Sequence, residues 1–91
     1  MQIDKAKVMK ELKKTGKFVE LYHKISFVGY RKTEQGGACR VSIDILDAGE
    51  EAGNIRYHCV PTREDGKIAG GSEASSIEDA IRLVHWWELD E

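Results

Sequence analysis

The residues able to do chemistry are few. They are three histidines (His23, His58, His85), two cysteines (Cys39, Cys59) and two carboxylate pairs, Asp44/Asp47 and Glu50/Glu51. A structural metal needs ligands at spacings that converge, such as C-x-x-C or H-x-x-x-H, and no pair here has that spacing. With residues 48–53 as the loop between two strands, position 39 faces about 61 and position 59 about 41. The cysteines then share one face as diagonal neighbours, the behaviour of buried thiols, while His58 points to the other face. A thiol inside a strand is an inert small hydrophobe. No serine occupies a G-x-S-x-G elbow. The carboxylate pairs fall at a strand end and on a loop, with nothing to dry them and raise a pKa. Gly66 to Ser72 ends in Gly-Gly-Ser before a helix but lacks both glycine-rich phosphate patterns, and Glu73, Glu78 and Asp79 already place negative charge there. No catalytic residue, metal or cofactor is expected; the chain reads as a non-enzyme.

What the residues offer instead is charge. The chain has 91 residues, 33% of them charged, and a formal net charge of −2. That near-neutrality is a cancellation. Residues 1–40 hold ten Lys and Arg against four Asp and Glu, a net of +6; residues 41–91 hold four against twelve, a net of −8. A basic and an acidic half make two candidate contact surfaces of opposite sign. In the basic half, Lys7, Lys10, Lys13, Lys14 and Lys17 form a patch able to neutralise several phosphates. In the acidic half, Trp86 falls on a helical wheel among Glu78, Asp79, Arg82 and Asp90, whereas Trp87 falls in the apolar arc. A Trp on the polar face of a helix is a candidate hot spot. Stacking on Arg82 and packing over the end of the sheet are the competing structural roles.

Elements that position these groups can be read from periodicity. Asp4 is an N-cap, with Ile3 and Val8 spaced as a hydrophobic staple. Val8, Met9 and Leu12 share one side of the first helix, and Gly16 stands where a C′ residue should. Residues 17–33 are rich in β-branched and aromatic types and read as a strand, with Gly29 marking a bulge where the inward parity switches. Cys39, Val41, Ile43 and Ile45 alternate cleanly with polar residues, the clearest strand in the chain. Ile55, Tyr57 and Cys59 make a third strand that Pro61 ends. Asp65-Gly66 is a turn, followed by a short fourth strand at 67–70 anchored by Ile68. Ser75-Ser76-Ile77-Glu78 reads as a capping box opening a helix whose apolar arc is Ile77, Ala80, Ile81, Leu83, Val84 and Trp87.

The expected fold is α+β: a two-layer α-β-β-β-(β)-α single domain over 1–91, an antiparallel meander sheet with N- and C-terminal helices packed on it. This element order resembles that of the double-stranded-RNA-binding domain, in which the second helix opens with a basic cluster that grips phosphates. The corresponding place here, Ser76-Ile77-Glu78-Asp79-Ala80, would repel them.

The expected function is a small protein-interaction module of adaptor or inhibitor type. It would engage a basic or nucleic-acid-binding protein through its acidic C-terminal surface, with Trp86 as anchor. A prophage- or plasmid-type accessory protein has this look. The alternative is nucleic-acid binding through the Lys helix. A homodimer through Phe18, Tyr22 and Tyr30 is compatible with both. No apolar run approaches the ~18 residues of a membrane span. The N-terminus has no apolar h-region, and two cysteines make no disulfide framework, so the expected location is cytoplasmic.

Overall fold

The computed structural model describes residues 4–90. Its elements are helix α1 (Lys5–Lys14), strands β1 (His23–Lys32) and β2 (Ala38–Asp47), a 3-10 turn at Glu50–Ile55, strand β3 (Tyr57–Arg63), helix α2 (Ile77–Arg82) and a second 3-10 turn at Trp86–Asp90. The strands form one antiparallel sheet in the order β1-β2-β3. With helices at both ends of the chain, this is the expected small α+β fold.

One sheet face makes the core. Val41 and Ile45 of β2 and Cys59 of β3 are buried, and Ile25, Ile43 and Tyr57 pack beside them. The layer above is built from residues 69–89, contributing buried Ala69, Ala74, Ala80, Val84 and Leu89, with Ile77 and Trp86 packed against them. Three of those five are alanines, so the covering chain lies close to the sheet. Gly71 shows how close: a Cβ there would stand 3.3 Å from Val84 Cα.

Helix α1 starts where the cap signal puts it. Asp4 Oδ1 accepts from the Lys7 N–H at 3.1 Å, and Gly16, at φ +67°, follows the Thr15 cap. Ile3 of the expected staple lies outside the described residues. No residue of α1 is buried. Its apolar side, Val8, Met9 and Leu12, borders a groove of about 270 Å³ against Leu21 and Tyr22.

Several expectations are corrected. β1 begins at His23 rather than Lys17, and its register with β2 runs unbroken from His23↔Asp47 to Lys32↔Ala38, so Gly29 makes no bulge and no parity switch. Pro61 does not end β3: it is buried and pairs with Ile43. The Glu64 N–H bonds Arg40 O, so even-numbered residues of β3 bond β2; the bond that Pro61 cannot donate would have pointed away from β2. The β2–β3 register places Cys59 opposite Ile45 and Arg63 opposite Val41, four residues from the expected pairing. Ile55 belongs to the 3-10 turn, which lengthens the loop, and the Ala48 N–H bonds Arg56 O at 2.8 Å, one rung beyond Asp47↔Tyr57 in the same register. The cysteines are therefore not diagonal neighbours. In place of the expected fourth strand at 67–70 stands one isolated bridge, Thr62↔Ile68, with a second, Tyr57↔Ala74, farther along the chain; the inward residue of 67–70 is Ala69, and Ile68 is exposed.

The largest correction concerns α2. Its N-cap is Ser76, not Ser75; the Ser76 hydroxyl accepts from the Asp79 N–H at 3.2 Å. The helix stops after Arg82. The His85 N–H, which a continuing helix would give to Ile81 O, bonds Gly70 O at 2.8 Å instead. Ile81 O accepts from the Val84 N–H (3.3 Å) and from Trp86 Nε1 (3.0 Å). The helical wheel holds for Ala80 and Val84, which are buried, but fails for Ile81 and Leu83, which it placed in the apolar arc and which are exposed, and the two tryptophans exchange roles.

Candidate functional site

The acidic C-terminal surface is held by contacts that the sequence did not announce. Trp86 is half-buried, packed against the core, with its indole N–H satisfied by Ile81 O. It is not the exposed anchor expected. Trp87, placed by the wheel in the core, is 62% exposed. Its ring stacks on His85 at a centroid distance of 4.7 Å and 20° between planes. Glu88 Oε1 lies 3.1 Å from His85 Nδ1 and accepts from the Gly70 N–H at 3.0 Å, so the turn carrying Trp87 is pinned to the 70–71 segment.

Around Trp87 in the chain, Ile81 and Leu83 are also exposed, as are Glu78, Asp79 and Arg82. Arg82 reaches Asp79 at 3.7 Å, a solvated pair of little energetic weight, and does not stack on Trp86. Asp90 is committed elsewhere: both its oxygens accept from Arg31 Nη2, at 3.0 and 3.1 Å, tying the C-terminal turn to β1. Glu91 lies outside the described residues.

The lysines stand on exposed positions of α1 and just after it. Lys14 pairs with Glu11 at 3.0 Å and Lys13 approaches Glu51 at 3.9 Å. Among the described residues Lys7, Lys10 and Lys17 make no ion pair. The helix thus presents its cations without the rest of the molecule neutralising most of them.

A cleft of about 700 Å³ opens between the β1–β2 turn and the C-terminal turn, lined by Arg31, Cys39, Val41, Arg63, Leu89 and Asp90 among others. Its charges are spent internally. Arg31 holds Asp90, while Arg63 forks onto Asp65 at 2.6 and 2.9 Å and also donates to Leu89 O at 2.6 Å. The Arg63 guanidinium, helped by the Lys67 N–H, holds the Asp65 carboxyl down to about 2. Arg31 Nε is buried without a hydrogen-bond partner. At the other end of the sheet Arg56 forks onto Asp47 (2.8 and 3.1 Å), and Asp47 also accepts from the Gly49 N–H. The Arg56 bonds hold the Asp47 carboxyl below the ordinary range despite its burial. These are shifts of turn-holding ion pairs. Asp44 accepts from the Ser26 hydroxyl, and Glu50 and Glu51 lie on the exposed 3-10 turn.

Burial pushes the Cys59 thiol up, away from nucleophilic reactivity. Cys39 is half-buried, and both cysteines are unpaired. Among the described residues no three His, Cys, Asp or Glu side chains gather as metal ligands, and no helix is long and apolar enough to cross a membrane. The residue that sequence reasoning missed is Trp87. Its exposure follows from a bond between Gly70 and His85, and no local pattern encodes that bond. No family model, curated protein or solved structure matches the chain.

Proposed function

We propose that the chain is a non-enzymatic protein-interaction module whose contact surface is the acidic C-terminal segment, centred on Trp87. The observation that carries this reading is a 62% exposed Trp whose ring stacks on His85. Exposed Ile81 and Leu83 precede it, and the carboxylates of Glu78, Asp79 and Glu88 intersperse them. Aromatic anchors with a charged rim are how interfaces concentrate binding energy. The sign of the rim selects a basic partner, such as a nucleic-acid-binding protein. The shifted carboxylates, bound to arginines in turns, favour a scaffold over an acid–base catalyst. The unpaired thiols favour the cytoplasm.

The test is affinity capture from the native host with three baits: the unaltered chain, Trp87→Ala and Trp86→Ala, each with and without nuclease. Trp87→Ala loses the captured protein while its thermal unfolding stays within a few degrees of the parent. An identical captured set with Trp87→Ala refutes the reading.

One observation favours a second reading, nucleic-acid binding by α1: the helix has no buried residue and most of its lysines are unpaired. Labelled oligonucleotides at ~50 mM salt decide it, since binding through several phosphates must fall steeply as salt rises. No retention at low salt ends it.

A further inference from the structure

The outer edge of β1 is unpaired among the described residues, and it differs from the outer edge of β3. The latter is bridged at Ala74 and Ile68 and carries Pro61. β1 has ten residues with neither proline nor bulge; α1 borders it at His23 and Lys24, and its outward lysines, Lys24 and Lys32, stand near its two ends. The Thr33 N–H bonds Gly37 O at 2.9 Å, which assigns odd-numbered residues to the β2 side. The N–H and C=O groups of Lys24, Ser26, Val28, Tyr30 and Lys32 therefore point outward from the sheet. Beside this edge, Phe27, Val28 and Tyr30 are 54%, 52% and 71% exposed. Natural edges of this length are normally blunted.

We propose that two copies of the chain pair β1 to β1, antiparallel, about a two-fold axis at Phe27, joining two three-stranded sheets into one of six strands. The inference is independent of the acidic surface at Trp87. Charge and shape select the register. Only even residues carry outward groups, so even must pair with even. A dyad at Val28 sets Lys24 against Lys32 at both ends, a like-charge pairing that destabilises. A dyad at Ser26 pairs only residues 23–29, with about six backbone bonds, and a dyad at Gly29 sets that glycine against itself, with no side chains to meet at the axis. A dyad at Phe27 pairs Lys24 with Tyr30, a cation beside an aromatic ring, and Ser26 with Val28, giving about eight new backbone bonds. On the other face Phe27 meets its own copy, and Ile25 stands opposite Gly29, which has no side chain to oppose it. Arg31, opposite His23, is already neutralised by Asp90.

Two measurements test this. Sedimentation over a concentration series should show a monomer–dimer equilibrium. Val28→Pro removes an outward donor without touching a β2 bond, as Pro61 does in β3. It should weaken the dimer roughly 10- to 100-fold while leaving the monomer folded. If that variant does not fold, Phe27→Lys replaces it, placing two cations at the axis. In a Cys39→Ser background, single cysteines at Ser26, Phe27 and Val28 are then oxidised. Directly opposed residues at a non-hydrogen-bonded site lie about 4.5 Å apart at Cα, within disulfide reach, so Phe27→Cys should cross-link fastest. A chain that stays monomeric up to millimolar concentration overturns the proposal and leaves the edge to an extended segment of another protein. Fastest cross-linking at 26 or 28 overturns the register.

Discussion

Replacing each tryptophan by alanine separates the two roles that the structure assigns. Trp86 packs against the core and donates to Ile81 O. Truncating a fully buried Trp costs about 3–5 kcal/mol, and a half-buried one about half of that, near 2 kcal/mol. The lost indole bond leaves Ile81 O with one partner fewer, adding about 1 kcal/mol. The sum, about 3 kcal/mol, is a large share of the roughly 5–14 kcal/mol available to a chain of this length. It should lower the melting temperature by roughly 12–24 °C. Trp87, exposed and stacked only on an exposed histidine, should cost no more than about 0.5 kcal/mol. Urea unfolding measures both, and each variant keeps one tryptophan as its own fluorescent probe. Emission from Trp86 alone should be bluer than emission from Trp87 alone. Trp86→Phe, which keeps an aromatic ring and loses the donor, should fall between. If Trp87→Ala destabilises as much as Trp86→Ala, the helix continues through residue 87 and the break after Arg82 is wrong.

Two further outcomes follow from the arginine forks. Asp47→Asn removes the charge from a partly buried fork that holds the 48–56 loop, and should lower stability by about 1–3 kcal/mol in urea. Acid should act through Asp47 and Asp65, whose folded pKa values lie below the unfolded ones. Their contribution is complete above about pH 4 and is lost as pH falls toward about 2, the value for Asp65. A melting-temperature profile should therefore drop across that window, less steeply in Asp47→Asn.

What was legible in the sequence was what strict local periodicity or a local cap encodes. The inward set Val41, Ile45 and Cys59 follows from two-residue alternation, and Asp4 and the Ser75–Ser76 region from cap chemistry. The failures share one cause: a distant group decided a local question. Pro61 could stay in β3 because the register turned its nitrogen away from β2. The β2–β3 pairing moved by four residues because the 3-10 turn lengthened the loop and Arg56 closed it on Asp47 and Ala48. Ala69, too small to stand out in a pattern, became the inward residue of a segment that bonds to β3, its N–H donating to Pro61 O. The tryptophans were reversed because His85 found Gly70 O. The charge asymmetry was legible at once, but its geometry was not: Asp90, counted with the acidic surface, is spent on Arg31.

The division of the core between residues 41–59 and residues 69–89 has a consequence during synthesis. The sheet is complete once Arg63 has been made, yet Val41, Ile45 and Cys59 then lie on a bare surface. Leu89 is 26 residues later in the chain. At 5–20 residues per second, that surface waits about 1–5 s for its cover. Over the same interval β1 offers its open edge to any neighbouring nascent chain, so crowded polysomes are where this protein would be most prone to pair wrongly.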